Sequence, residues 1–274
     1  MLIYILLGAA LIALGVYLAY FQRNKTGNAL LDIQSMKTST ISDVKEAMAD
    51  MASISDNYRE YVELKGTVTA KTPQKTPFSQ KDAAYYTATT YRVYEETIRE
   101  RDSNGNMRTR TVKHEDRISE EESGEELILT DENGDTITIE TVGQGGRFDL
   151  VKITDRFEPA NNYNTNNFFM NPRRRFQSFG GDFVGGNGRS LLGYRMVEMA
   201  FSAGQKLYVL GEAYMNGGVL MIGPPNDKSR QFIVTAKSEE ELVKNKESAK
   251  KSSLIGGIVC GVIGLIIIIV GFTK

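Results

Sequence analysis

Hydrophobic and polar positions divide this chain into three regimes. Leu2–Phe21 and Leu254–Phe272 carry no charged side chain. Each is close to the roughly 20 residues that an α-helix, rising about 1.5 Å per residue, needs to cross a bilayer. A helix in lipid satisfies its own backbone hydrogen bonds, so both segments can cross unaided. Core helices of soluble proteins rarely run this long without a charge. A cleaved signal peptide is the competing reading of the first segment. That segment begins Met1-Leu2-Ile3 with no basic residue and ends Tyr17-Leu18-Ala19-Tyr20-Phe21, which is no small-x-small cleavage site. It is read as a retained helix over residues 1–21, with Tyr4, Tyr17, Tyr20 and Phe21 suited to the two interfaces. The second helix covers residues 254–272.

Residues 22–60 form a juxtamembrane arm. Within it Val44, Ala47, Met48 and Met51 recur at spacings of three and four, which predicts a helix over 43–51 capped by Thr40 or Ser42. Its polar face is not notably basic, so its apolar stripe is expected to pack on the domain rather than on lipid. From Tyr61 the period becomes two. Strands are predicted at 61–70, 84–99, 107–117, 127–130, 136–139, 148–157, 194–201, 206–213, 219–222 and 231–236. Asp102-Ser103-Asn104-Gly105 and Asn133-Gly134 are hairpin turns. Residues 159–190, rich in Asn, Gly and Phe, break the pattern and are expected to be a flexible insertion. Ser238 with Glu241 makes a capping box that opens an amphipathic juxtamembrane helix over 238–253. The predicted fold class is mainly β: an antiparallel barrel- or sandwich-like domain, residues 61–237, between two transmembrane helices.

Charge sets the orientation. Arg23 and Lys25 follow the first helix, and Lys244, Lys246, Lys250 and Lys251 precede the second, whereas the far side holds only the amino terminus and Lys274. Basic residues near helix ends favour the cytoplasmic side, so the domain is expected there, with these six side chains against lipid headgroups. The net charge of −1 gives no reason to expect nucleic acid.

Candidate chemistry is sparse. One Cys, Cys260 inside the second helix, and one His, His114, cannot supply a structural zinc site or a Cys–His pair. No catalytic residue, metal ligand or cofactor is assigned. His114 reads as a solvated strand residue, and Glu120-Glu121-Glu122 as a solvated loop. Gly180–Gly188 lacks the strand–turn–helix context of a phosphate loop. Arg173, Arg174 and Arg175, set among Phe168, Phe169, Phe176 and Phe179, are expected to touch the membrane or a partner. Gly257, Gly261 and Gly264 form a small-residue stripe that would let the two anchors pair, or two chains form a homo-oligomer. Neither anchor holds a charge, which argues against a transport path.

The organisation as a whole resembles the GIDE family, whose middle region is called the beside-a-membrane (BAM) domain. The segments that carry the likeness are Gly66-Thr67-Val68, Thr76-Pro77-Phe78-Ser79, Ala84-Tyr85-Tyr86, Tyr91-Arg92-Val93-Tyr94-Glu95-Glu96, the run from Ala203 to Ala213, and Phe232-Ile233-Val234-Thr235. The likeness runs from about Tyr61 to the carboxyl end, with gaps. Organellar members of that family carry a zinc-binding RING after the second helix and act as ubiquitin or SUMO ligases. The residues here include no such Cys and His set, so the resemblance is to the prokaryotic branch without a RING. That branch implies protein or peptide ligands at the membrane, with LemA-type proteins as candidate partners. In the organellar ligases the domain faces the intermembrane space, which corresponds to the outside of a bacterium and conflicts with the charge bias here.

The expectation is therefore a membrane-anchored, non-catalytic protein- or peptide-binding module, whose groove or sheet edge takes the ligand. The alternatives are a structural subunit of a membrane complex and a membrane-tethered ligase or hydrolase.

Overall fold

The computed structural model describes residues 2–22, 36–52, 57–72, 74–101, 105–141, 148–160 and 188–273. The turn at 102–104, nearly all of the insertion expected at 159–190, and the residues Arg23, Lys25, Arg173, Arg174 and Arg175 lie outside them.

The chain opens with α1 (Leu2–Val16), which continues as a π-helical turn at Tyr17–Gln22. The arm holds α2 (Ile41–Ala52), slightly longer than its periodicity predicts. Thr40 is its cap: its Oγ1 accepts from the Asp43 amide at 3.0 Å, and Asp43 returns the bond to the Thr40 amide at 3.3 Å. Ile41, Val44 and Met48 are buried in the main core, so the apolar stripe packs on the domain.

Five strands close into a barrel: β1 (Arg59–Ala70), β5 (Leu127–Thr130), β6 (Thr136–Ile139), β10 (Lys206–Asn216) and β11 (Val219–Gly223). Their order is β1-β5-β6-β11-β10, and β10 returns to β1 over Arg59↔Tyr214 to Thr67↔Lys206. All pairings in the ring are antiparallel except β6–β11. This is a five-stranded Greek-key barrel of the OB type. Gly66 sits where β1 leaves β10 for β5, and a Cβ there would lie 2.5 Å from the Thr130 carbonyl oxygen. The bend that this glycine predicts is the barrel's closing corner. β12 (Ile233–Thr235) and β7 (Phe148–Asp149) extend the barrel sheet beside β10.

A second sheet grows out of two excursions from the barrel. Between β1 and β5 the chain makes β2 (Gln74–Lys75), β3 (Asp82–Arg101) and β4 (Met107–Glu122). Between β7 and β10 it makes β8 (Val151–Pro159) and β9 (Arg189–Ser202). β3 lies between β4 and β9, and β8 pairs with the far side of β9. Glu120, Glu121 and Glu122, read from sequence as a solvated loop, are therefore strand residues. The Tyr85 hydroxyl donates to Glu122, and the Tyr86 hydroxyl donates to Glu121 at 2.9 Å. The acidic run belongs to β4 because cross-strand tyrosines give its carboxylates partners that a sequence pattern does not show.

One core joins both sheets. Leu64, Leu127, Leu129, Ile137 and Ile222 fill the barrel, and Tyr85 and Phe201 of the second sheet meet Phe148 at its side. Tyr61–Leu64 are buried on both strand faces, because another helix covers the outside of β1. That helix is α3 (Glu239–Thr273), whose Leu242 packs with Tyr61, Tyr208 and Leu210. The expected capping box forms: the Ser238 hydroxyl accepts from the Glu241 amide, and Glu241 accepts from the Ser238 amide, both at 3.3 Å. The two helices expected at 238–253 and 254–272 are one unbroken helix.

α1 and the last part of α3 are long and apolar enough to cross a membrane, and most of their surface is exposed rather than buried in a core. They run antiparallel in close contact. A Cβ on Gly264 would lie 2.7 Å from the Gly8 carbonyl oxygen, and one on Gly257 would lie 2.7 Å from that of Gly15. Glycines seven apart on each helix thus face each other in pairs. The Ser253 hydroxyl donates to the Leu18 carbonyl at 2.6 Å where the pair leaves the apolar zone.

Candidate functional site

A cleft of about 670 Å³ opens where the barrel meets the starts of α2 and α3. Its walls come from Thr38–Thr40, the middle of β1, the β5–β6 turn, the start of β10 and Ala236–Glu240. The barrel corner at Gly66 leaves the floor low, and the two capped helix starts raise the sides.

Glu63 sets the electrostatics of one wall. It projects from the outer face of β1 and is 1% exposed. Its carboxylate accepts from the Thr38 hydroxyl at 2.5 Å and from the Tyr208 hydroxyl at 2.8 Å, and lies 3.1 Å from the Lys65 Nζ. Such a buried carboxylate is tolerated because all its partners are present. Lys65 also reaches Glu239 of α3 at 2.9 Å. Burial alone would lower the Lys65 pKa, but its hydrogen bonds to Glu239 and Glu63 hold it above the usual lysine value. Burial, with the Glu63 carboxylate beside it, pushes the Tyr208 phenol well above its ordinary range. Neither group is poised to exchange a proton near neutral pH.

The helix starts are neutralised from within. Asp131 accepts from the Ile41 amide at 3.0 Å and from the amides of Asn133 and Asp135 at 3.0 Å each, so it fastens the turn to α2. Lys237 pairs with Asp149 at 2.6 Å. Burial acts to raise the Asp149 pKa, but the hydrogen bonds from Lys237 and Thr235 hold it below the usual value. Lys206, Glu132, Asn133 and Glu240 stand exposed along the rim. This arrangement can grip a chain through mixed charge, backbone groups and the floor at Leu207. It offers no nucleophile–base pair. Among the described residues no group of three or more His, Cys, Asp or Glu could hold a metal ion.

The sequence-expected contact residues are dispersed. Lys244 and Lys251 are exposed on α3, and Lys250 is half-buried. Lys246 turns toward the domain: its Nζ donates to the Gln231 side chain at 3.3 Å, and burial lowers its pKa. Gly257 and Gly264 meet α1, whereas a Cβ on Gly261 would meet nothing within 4 Å. His114 stacks on Tyr94, with ring centroids 5.2 Å apart, and its Nε2 lies 3.4 Å from Glu96. Sequence reasoning missed Glu63, Lys65 and Tyr208. In an alternating strand an outward Glu-x-Lys looks solvated, and only the packing of α3 and Thr38 over it buries Glu63 and Tyr208 and ties the exposed Lys65 to them.

A family model described as GIDE, E3 ubiquitin ligase, matches residues 95–270. The match begins inside β3 and ends inside α3, so the resemblance drawn from residues 61–94 lies ahead of it. No curated protein and no solved structure matches the chain. The matched residues are more than half of the chain, and the chain belongs to the GIDE family.

Proposed function

We propose that this GIDE-family protein is a membrane-anchored binding module that takes a protein or peptide segment in the cleft beneath α3. The observation that carries the reading is the cleft itself. Its inner polar groups are tied to one another while its rim presents Lys206, Glu132 and backbone at the barrel corner. A photo-crosslinking residue at Lys206 of the full chain in its native cells is expected to capture a discrete partner. The same residue at Lys228, exposed on the loop after β11, should not. Equal capture at both positions, or none at Lys206, overturns the reading. LemA-type proteins, suggested by the family resemblance, are the first candidates to test.

The family description favours a second reading, activity related to ubiquitin transfer. The 274 residues hold one Cys and one His, too few for the zinc ligands of a RING. Ubiquitin chains that form with E1 and E2 only when the full chain is added would establish this second reading.

We infer further that the domain faces the cytoplasm, on the strength of Lys244, Lys250 and Lys251 before the spanning part of α3. Single cysteines at Thr109 and Lys228 in a Cys260→Ala background are expected to react with an impermeant thiol reagent only after lysis. Labelling in intact cells would place the domain outside.

A further inference from the structure

We propose that β4 is a self-association edge, pairing antiparallel with β4 of a second copy of this chain. Among the described residues the backbone of β4 pairs only with β3, and no described strand lies along the other side of its 16 residues. Alternate residues of a strand aim their N–H and C=O outward, which leaves about eight positions able to pair. Most of the strand is exposed, and Met107 is 61% exposed.

Charge selects the occupant. Edge strands are commonly guarded by charge against indiscriminate pairing, and a guard works best when one sign runs throughout. β4 is instead divided. Residues 107–113 hold Arg108, Arg110 and Lys113 and no acid. Residues 115–122 hold five acids against the single Arg117. The boundary falls at His114, close to the middle of the strand. A parallel neighbour of the same sequence would set base on base and acid on acid. An antiparallel copy sets each basic half on an acidic half, twice over, about a two-fold axis near His114. Directly opposed unlike charges stabilise a pair of strands, and like charges oppose it. A closed two-fold contact of this kind also uses up both edges and stops at a dimer.

β8, at the opposite edge of the same sheet, lacks this design. Its charges Lys152, Asp155, Arg156 and Glu158 alternate without blocks, and the strand ends at Pro159, which has no amide hydrogen to give. Salt bridges join β4 to its own sheet, Arg110–Glu100 at 3.4 Å, Arg92–Asp116 at 3.2 Å and Arg195–Glu115 at 2.9 Å, while along the strand itself three basic residues in one half still face five acids and one arginine in the other.

The test uses the full chain in lipid nanodiscs loaded to admit two copies, with His114→Cys in a Cys260→Ala background and a short bis-maleimide. Crosslinked dimer is expected. The combination Arg108→Glu, Arg110→Glu and Lys113→Glu should reduce it at least tenfold, because both halves become acidic. Glu120→Lys with Glu121→Lys should reduce it as well. Mixing the two variants restores a basic half opposite an acidic half, so the crosslink should return between unlike copies. That recovery also shows that both variants are folded. No crosslink in the parent chain, crosslinking that ignores the charge changes, or failure of the mixture to recover would overturn the proposal.

Discussion

Glu198→Ala is expected to lower stability by about 3 kcal/mol, with a buried acceptor removed and two half-buried backbone amides left without it. Glu198 of β9 is fully buried on the face of the second sheet opposite the main core. Its carboxylate accepts from the Phe78 amide at 2.5 Å and from the Ser79 amide at 3.2 and 3.1 Å. Those bonds fasten the turn between β2 and β3. Thr76 accepts from the Gln80 amide at 3.1 Å within it, and Gln80 has φ of 56°, a left-handed conformation that a side chain adopts at some cost. The carboxylate holds this turn closed and presses Phe78 onto Tyr86, Ala88 and Ala200. Without it the turn should open before the barrel does. Chemical denaturation of the detergent-solubilised chain reads the stability, and limited proteolysis between Thr76 and Lys81 reads the turn. Glu198→Gln keeps one acceptor oxygen and should lose about half as much. Equal stability of the parent and Glu198→Ala chains would show that the turn is held by its own bonds.

Glu198 also marks how far sequence reasoning reaches. The period-two segments, the Asn133-Gly134 turn and the Ser238–Glu241 box were legible because each depends on residues within a few positions of one another. Gly66 was legible as a bend, though not as the closing corner, since the Thr130 carbonyl it approaches is more than sixty residues away. The barrel ring itself depends on β10 finding β1 and on a parallel β6–β11 pair. Neither leaves a local trace. The cleft was hidden for the same reason. Glu63 and Glu198 look in sequence like ordinary outward strand carboxylates. Their burial is created by Thr38 and α3 over one, and by the Phe78 turn over the other. Lys246 carries a contact that its sequence position does not show: beside the docked Leu242, its Nζ donates to the Gln231 side chain at 3.3 Å.

Gly257→Ile is expected to drive the two membrane helices apart, while Gly261→Ile is expected to leave them together. The difference comes from the faces they occupy. A Cβ at Gly257 would sit 2.7 Å from the Gly15 carbonyl oxygen and 2.8 Å from the Ala19 Cβ, and neither backbone nor a methyl group can yield. At Gly261 the same atom meets nothing within 4 Å. Of the small-xxx-small pair Gly257 and Gly261, only Gly257 turns its Cβ position into the contact, and Gly261 meets α1 through its backbone, whose nitrogen would lie 3.1 Å from a Cβ on Gly15. The contact recurs every seven residues, at Gly257 and Gly264 against Gly15 and Gly8, as antiparallel helices packed along a heptad-like seam require. Overpacking a tight contact costs about 1–3 kcal/mol, and an outward substitution stays within about 0.5 kcal/mol. Thermal unfolding in detergent should then show a clear fall for Gly257→Ile and almost none for Gly261→Ile. Gly15→Ile should reproduce the first result, because its Cβ would lie 2.7 Å from the Gly257 carbonyl oxygen. If Gly261→Ile proved the more damaging, the stripe would serve contacts between chains rather than the hairpin. α3 runs without a break from the cleft wall into this seam, so loosening the hairpin should also free the start of α3 to tilt against Tyr61 and Tyr208. Raised proteolysis near Glu239 in Gly257→Ile, absent in Gly261→Ile, is the signature that the anchor pair and the cleft form one mechanical unit.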